Sequence, residues 1–315
     1  MNIIGKRRLF LAISGILVAC GIIALLARGL NLGVDFTGGS LLRLRFERPV
    51  TASEVSEALT SRELADMNLR KAVVQPIGGT NDVQVRAQVG GRPLNDEQVG
   101  RIVATLSQRI GQVSVIESQM VEGVIGRELL SRALTAVVIS WIGIIIYVSV
   151  RFEFKFAVAA VLALIHDTII VLGAFALMGR QVNSPFIAAV LTIIGYSIND
   201  TIVIFDKIRE NLRLRKKETL EELTNKSILQ TLTRSLNTVI TTLLAVFALF
   251  FFGGASIKDF SLALIIGLVT GTYSSIFIAS PIWLEWRMWE RARQQRHIAA
   301  AGRAKQPGTG PAKAR

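Results

Sequence analysis

Long apolar runs are the main feature of this chain, and six of them are long enough for membrane-spanning helices. An α-helix needs about 20 predominantly apolar residues to cross the hydrocarbon core of a bilayer. We therefore predict a polytopic α-helical membrane protein with six transmembrane helices. The predicted spans cover residues 9–27, 133–150, 156–178, 185–205, 236–252 and 260–284.

The segment between the first two spans, residues 28–132, has a different pattern and the length of a small domain. Apolar and polar positions alternate at residues 42–46 and 83–89, which predicts two half-buried strands. Shorter apolar stretches predict strands at residues 69–75 and 113–120. A glycine pair predicts a turn at residues 78–81.

Two helices are predicted within the same segment. Thr51 with Glu54, and Asn95 with Gln98, have capping-box spacing and precede apolar residues at helical intervals. The resulting order of strand, helix, strand, strand, helix, strand predicts a small α+β domain of the ferredoxin-like βαββαβ type. Since the segment contains no His or Cys, we expect a binding or docking module rather than an enzyme.

The chain carries a net charge of +13, but 51% of its residues are hydrophobic. This hydrophobic content argues against disorder, which requires low hydrophobicity. If the N-terminus is cytoplasmic, residues 1–8, 151–155, 206–235 and 285–315 face the cytoplasm and carry the whole net charge. Cytoplasmic loops of membrane proteins are enriched in Lys and Arg. We therefore predict that both termini are cytoplasmic. The basic tail, residues 285–315, is predicted to be partly disordered and to contact anionic lipids rather than nucleic acid.

The chain has one cysteine and two histidines, so an intrachain disulfide is excluded and a structural zinc site is disfavoured. We predict no cofactor, no metal and no enzymatic activity. The basic and apolar residues before Cys20 also match a bacterial lipoprotein signal. However, the apolar run continues to Ala27, whereas the apolar region of a signal peptide usually has about 7–15 residues. This length favours an uncleaved membrane anchor.

Asp200 in the fourth span is the most informative polar residue. A charged carboxylate in hydrocarbon costs several kcal/mol, so it must be protonated, paired or hydrated. Arg234, just before the fifth span, is expected at a similar depth, either as a partner of Asp200 or as a side chain that extends to the interface. We predict a proton or ion site at Asp200, with Asn199 beside it.

Asp167 follows His166 in the middle of the third span. It is either a buried acid that accepts hydrogen bonds from neighbouring helices or a second member of a proton relay. The sequence leaves both interpretations open. His166 by itself is typical of an interhelical hydrogen-bond donor.

Small residues mark two further features. Gly267 and Gly271 in the sixth span, and Gly195 in the fourth, predict close packing of helices. The segment with Gly33, Asp35, Gly38 and Gly39 joins the first span to the α+β domain. It is either a glycine-rich turn or a fixed junction that transmits motion between membrane and domain.

Several motifs together resemble the SecD/SecF family of bacterial protein-export subunits, and its SecF branch in particular. The similarity extends over about residues 5–290 and is most specific in the fourth span. The motifs lie at residues 33–39, 121–126, 195–211, 235–238 and 271–276.

The resemblance implies a relation to the resistance-nodulation-division transporters, with six spans and one periplasmic domain in the bacterial inner membrane. It also implies a heterodimer with SecD that works with the SecYEG channel, and often with YajC. Such a pair uses the proton-motive force to promote translocation and release of an unfolded preprotein. The family's intramembrane acid and its basic partner match Asp200 and Arg234.

Two other functions are compatible with an intramembrane acid or with the resemblance. A proton-driven half-transporter for small-molecule efflux would share the proton chemistry, but such pumps usually carry a much larger periplasmic domain. A non-transporting assembly factor of the translocon would not need Asp200.

Overall fold

In a computed structural model, the protein is described for residues 2–77, 80–215, 217–253 and 255–304. The chain divides into two compact units. A helical unit contains the described residues up to Gly29, Ser140–Met178 and the described residues from Ala188 onwards. An α+β unit contains Leu30–Ile139 and Gly179–Ile187. Half of the predicted turn at 78–81 and the end of the predicted tail, residues 305–315, lie outside the described residues.

The helices and strands are numbered here in chain order. They are α1 (Arg7–Arg28), β1 (Asn31–Leu32), α2 (Val34–Thr37), β2 (Gly39–Phe46), α3 (Ala52–Leu59), β3 (Val73–Pro76), β4 (Asp82–Ala87), α4 (Asp96–Arg109), β5 (Val113–Val121), α5 (Gly123–Arg151), α6 (Phe154–Met178), β6 (Gln181–Val182), α7 (Ser184–Leu214), α8 (Leu220–Phe252), α9 (Ala255–Ser274) and α10 (Ser280–Ala304).

Six helical stretches of the described chain are long and apolar enough to cross a membrane, as predicted. They are α1, α5, α6, α7, α8 and the stretch formed by α9 and α10. Several helices are longer than the apolar runs that predicted them. Helix α5 begins at Gly123 rather than at residue 133, and its first turns carry an i, i+4 ion pair between Glu128 and Arg132. Polar residues that form i, i+4 pairs also stabilise a helix. A helix can therefore extend beyond its apolar run, and hydropathy alone does not locate its ends.

The last membrane-spanning stretch is not a regular α-helix throughout. Ser275–Ala279 forms a π-helical turn between α9 and α10, where the sequence predicted one continuous span. The Oγ atom of Ser280 donates a hydrogen bond of 3.1 Å to the backbone oxygen of Ser275. Helix α10 then continues to Ala304, so the first part of the predicted basic tail is helical. Isolated π-turns are frequent at functional sites.

Three aromatic rings pack together within the core of the helical unit, between α6, α7 and α10. The ring of Phe156 stacks on Trp283, with centroids 4.8 Å apart, and packs against Phe205 at 4.7 Å. All three side chains are fully buried. This cluster fixes α6 and α10 against α7, the helix that carries Asp200.

The α+β unit is built on a four-stranded antiparallel sheet with the strand order β3-β4-β2-β5. Along the chain, strands and helices follow the predicted order of strand, helix, strand, strand, helix, strand. The strand predicted at residues 69–75 begins only at Val73, because Leu69–Lys71 form a 3₁₀ turn. Both predicted capping boxes are present, at the starts of α3 and α4. Hydrogen bonds from Thr51, and then from Arg48, lower the pKa of Glu54 in the first of them to about 2.

Asp82 is the buried acid of this sheet. It accepts hydrogen bonds from Arg43 at 2.6 Å and from Arg45 at 2.7 Å on the neighbouring strand β2. These hydrogen bonds, that of Arg45 first, lower the pKa of Asp82 against the opposing effect of burial. The cluster stabilises the pairing of β2 with β4 in the centre of the sheet.

Candidate functional site

Asp200 lies at a cavity of about 200 Å³ inside the helical unit. Helices α7, α8 and α9 form its walls, and Asp200, Arg234 and Ser235 are among the residues that line it. The other lining residues are Tyr196, Ser197, Asn199, Val203, Thr238, Val239, Gly267, Leu268, Gly271 and Thr272. The cavity therefore brings together an acid, a base and several hydroxyl groups on helices of membrane-spanning length.

The direct partner of Asp200 is Ser235. Its hydroxyl donates a hydrogen bond to the Oδ1 atom of the carboxyl group. The Oδ2 atom is buried and has no hydrogen-bond partner among the described residues. One oxygen of the carboxyl group is thus held in place, while the other is free to bind a proton or a water molecule.

The sequence left Arg234 open as a partner of Asp200 or as a side chain that extends to the interface. Within the described part of the chain, no ion pair of 4 Å or less joins the two side chains. Arg234 is exposed, whereas the next residue on α8, Ser235, is buried and reaches the carboxyl group. Consecutive helical residues point about 100° apart, so only one of them can face Asp200 directly. Arg234 instead lines the same cavity and attracts the Asp200 carboxylate electrostatically.

Asp167 belongs to a separate polar cluster. Its side chain is fully buried and accepts hydrogen bonds from Ser197 and Ser274, both 2.8 Å from Oδ2. The Nδ1 atom of His166 lies 3.0 Å from Oδ1. These contacts join α6, α7 and α9. Asp167 is not among the residues that line the cavity, although Ser197 is.

Two consecutive hydroxyl groups lie in this region where α9 ends and the π-helical turn begins. Ser274 contacts Asp167, while Ser275 lies 2.8 Å from the hydroxyl of Thr201 on α7. Ser235, Ser274 and Ser275 were not predicted as site residues. The signal for them in the sequence was their position in two of the motifs that resemble the SecD/SecF family, at residues 235–238 and 271–276.

Two of the three predicted packing glycines lie against α7. A Cβ atom at Gly271 would be 3.0 Å from that of Ser197, and one at Gly267 would overlap Ile193. Small residues at these positions allow α9 to approach the helix of Asp200 closely. Gly195 differs, because in the described chain a Cβ atom there would meet no other atom within 4 Å. Its predicted role in helix packing is not accounted for by contacts within the described chain and stays a prediction.

The junction segment is folded against residues 181–184 within the α+β unit. Asp35 accepts a hydrogen bond of 2.7 Å from the backbone nitrogen of Ser184 and thereby caps the start of α7. The backbone nitrogen of Gly33 donates to Val182 at 2.7 Å, and β1 pairs in parallel with β6. The helix that Asp35 caps is the one that carries Asp200.

The backbone at positions 38 and 39 has φ angles of +73° and +106°, a conformation that favours glycine. A Cβ atom at Gly38 would also be only 2.5 Å from the Cα atom of Gly123, where α5 begins. These positions therefore favour glycine, as the turn interpretation of the segment expects, while a role in transmitting motion stays a prediction. No group of three or more His, Cys, Asp or Glu side chains suited to a metal ion occurs among the described residues.

Fold and site together define a multi-pass membrane protein with an acid inside its spans and a small α+β unit after the first of them. Comparison with known proteins identifies the family. The family model described as "Protein export membrane protein SecD/SecF, C-terminal" matches residues 102–289, and the "SecD/SecF GG Motif" matches residues 23–50. The chain belongs to the SecD/SecF family of protein-export membrane proteins.

Relatives agree with this assignment. The protein translocase subunit SecF of Alicyclobacillus acidocaldarius is 40% identical over 95% of this chain and 97% of its own length. The protein translocase subunit SecDF of Bacillus subtilis is also 40% identical, over 90% of this chain, which spans 37% of that relative.

Solved structures give the same result. The crystal structure of SecDF from Thermus thermophilus, described as a translocon-associated membrane protein, matches with a TM-score of 0.82 and 37% identity. The match covers 91% of this chain and 38% of that one. A second SecDF structure, in a super-membrane-facing form, matches with a TM-score of 0.70 and 36% identity over 94% of this chain and 40% of that one.

Proposed function

We propose that this chain is a proton-coupled accessory subunit of protein translocation, in which Asp200 takes up and releases the proton. The observation that carries the proposal is the half-satisfied carboxyl group of Asp200, with one buried oxygen unpartnered, at a cavity that also holds Arg234. An acid inside a membrane span is costly to keep and is typical of ion or proton pathways.

The chemistry follows from the charges around the carboxyl group. Ionised Asp200 is attracted to Arg234 and accepts the hydrogen bond of Ser235. Protonation removes the negative charge and weakens the attraction between α7 and α8. A proton that crosses 100 mV supplies about 2.3 kcal/mol. This energy exceeds the 1.4 kcal/mol or so that shifts a two-state equilibrium tenfold.

The orientation that we propose follows from the basic residues. Residues 1–8, 151–155, 206–235 and 285–315, which include the ends of several helices, carry the net positive charge. By the positive-inside rule they face the cytoplasm, and the α+β unit is periplasmic. The chain is then a multi-pass protein of the bacterial inner membrane with both termini inside.

SecD is the proposed partner within the membrane. The exposed surface of α7 and α8 carries the polar side chains of Asn199, Arg234 and Asn237. Lipid tails would leave these groups without hydrogen bonds, so another membrane protein is expected to cover them. The relative from Bacillus subtilis and the matching crystal structures are SecDF chains, which supports SecD as that protein.

We further propose that the pair works beside the SecYEG channel, with YajC as an additional component, on an unfolded preprotein in the periplasm. The relatives' names, protein translocase subunit and translocon-associated membrane protein, support this assignment. The cap of α7 by Asp35 offers a route by which a shift of α7 reaches the junction segment.

The test is Asp200→Asn in the complex with SecD, measured as stimulation of preprotein translocation by the proton-motive force in inverted membrane vesicles. We expect the stimulation to be lost, while the amount of complex in the membrane stays unchanged. Asp96→Asn makes the same chemical change at an exposed acid of the α+β unit and should behave as wild type. Wild-type stimulation in the Asp200→Asn variant would contradict the proposal and favour an assembly factor.

A further inference from the structure

A second cavity, of about 480 Å³, lies in the helical unit beside the first. Helices α5, α7 and α8 form its walls, and Asp206 is one of the residues that line it. Val203 and Arg234 line both cavities. These two side chains therefore form the boundary between the space around Asp200 and the space around Asp206.

Asp200, Val203 and Asp206 follow one another at intervals of three residues on α7. Residues three apart are neighbours on the surface of a helix, and six residues of helix rise by about 9 Å. The two acids point about 120° apart around α7, and Val203 lies between them and lines both cavities. Arg234 reaches the same boundary from α8.

The charged and titratable groups that face Asp206 come from three helices. They are Tyr147 and Arg151 from α5, Lys207 and Glu210 from α7, and Arg234 from α8. Lys207 forms an ion pair with Glu210 at 2.9 Å. Among the described residues, Asp206 is then the one carboxylate of this cavity without an ion-pair partner, and it is exposed.

We propose that Asp206 accepts the proton that leaves Asp200 and passes it to the cytoplasm. The inference rests on the proposed function and deepens it. The proton moves from the Asp200 carboxyl group to a water molecule at the boundary, then to the Asp206 carboxylate and on to bulk water, so that both acids end ionised. Arg234 repels an excess proton at the boundary, and the negative charge of Asp206 beyond it compensates for that repulsion.

The primary test is Asp206→Asn in the complex with SecD, in inverted vesicles whose outer face is the cytoplasmic one. We expect stimulation by the proton-motive force to fall roughly tenfold or more, as is typical when a group that transfers a proton is removed. Asp206→Glu, which keeps the carboxyl group, should restore it. Formate added outside should partly restore Asp206→Asn, because it supplies a mobile acceptor. Asp96→Asn, the same chemical change at an exposed acid of the α+β unit, is the control and should retain stimulation.

Two outcomes overturn the inference and are distinguishable from failure of the proposed function. If Asp206→Asn keeps full stimulation while Asp200→Asn loses it, proton coupling stands and Asp206 has no part in it. If Asp206→Asn loses stimulation but neither Asp206→Glu nor formate restores it, the effect is structural and the inference is also wrong.

Water access to the boundary provides a second measurement. Cys20 is the one cysteine of the chain, so a Cys20→Ala background allows single-cysteine labelling. Val203→Cys should react with a membrane-impermeant maleimide added on the cytoplasmic side. Val246→Cys, at a buried position of α8, should not react. An unreactive Val203→Cys would contradict a hydrated path at this boundary.

Discussion

Ser235 holds one oxygen of the Asp200 carboxyl group by a hydrogen bond, and the other oxygen is buried without a partner in the described chain. The neighbouring Arg234 carries the charge that attracts this carboxylate, but it lies at the cavity wall rather than in direct contact. Two consecutive residues of α8 thus act on Asp200 in different ways. Ser235 fixes the position of the carboxyl group, and Arg234 attracts its negative charge.

Removal of the Ser235 hydroxyl should impair coupling without abolishing it. A hydrogen bond to a charged group contributes about 1.5–3 kcal/mol. We expect Ser235→Ala to reduce proton-dependent stimulation of translocation by roughly tenfold. Ser235→Thr keeps the hydroxyl and should retain most of the stimulation. Equal activity of the alanine variant and wild type would show that the hydrogen bond is dispensable.

Asp167 should be more important for stability than for proton transfer. Its three hydrogen bonds join α6, α7 and α9, and it lies away from the cavity lining. Loss of part of a buried network of this kind costs about 3 kcal/mol. We expect Asp167→Asn to lower the thermal unfolding temperature of the purified complex. Translocation activity per folded complex should be close to wild type.

The opposite pattern would place Asp167 in the proton path. In that case Asp167→Asn would have wild-type thermal stability and no stimulation by the proton-motive force. This comparison decides between the two interpretations that the sequence left open for this residue.

A side chain at Gly38 should disrupt the junction segment. Alanine would have to adopt a positive φ angle, and its Cβ atom would meet the Cα atom of Gly123 at 2.5 Å. Backbone strain of this kind costs about 1–3 kcal/mol. We expect Gly38→Ala to accelerate amide hydrogen exchange at the start of α7. Gly100→Ala, in open space on α4, is the control and should leave this exchange unchanged.

The ion pairs of Asp82 should make the stability of the sheet dependent on pH. Because its folded-state pKa is lowered, the contribution to stability is present above the unfolded-state value, about pH 3.9. It is lost as the pH falls through the lower folded-state pKa. We expect Asp82→Asn to destabilise the pairing of β2 with β4 by about 3 kcal/mol at neutral pH. Hydrogen exchange of the amides in β2 and β4 measures this effect.

Asp66→Asn is the matched control for Asp82→Asn, because it removes an ion pair with Arg101 that is largely exposed. A surface ion pair of this kind contributes less than about 1 kcal/mol. If the Asp82 variant lost no more protection than the Asp66 variant, the buried cluster would not be a significant source of stability.

Features that depend on local sequence could be predicted. The six spans follow from the length of the apolar runs, and the caps at Thr51 and Asn95 follow from short-range spacing. The position of Asp200 within a span follows from the same runs.

Contacts that depend on how helices are rotated and packed could not be predicted. The choice of Ser235 over Arg234 as the direct partner of Asp200 depends on the rotation of α8 about its axis. The hydrogen bond between Asp35 and Ser184 joins residues far apart in the chain. The π-helical turn that begins at Ser275 forms hydrogen bonds with α7 and with Ser280. Because the first of these contacts depends on helix packing, the composition of the segment does not reveal the turn.

The central claim is that Asp200 carries the proton that drives translocation. The most direct measurement is proton flux, followed with a pH-sensitive dye enclosed in proteoliposomes that contain this chain with SecD, SecYEG and a translocating preprotein. We predict a flux that requires the preprotein and is lost in Asp200→Asn, but is retained in Asp96→Asn. An undiminished flux in Asp200→Asn would contradict the account.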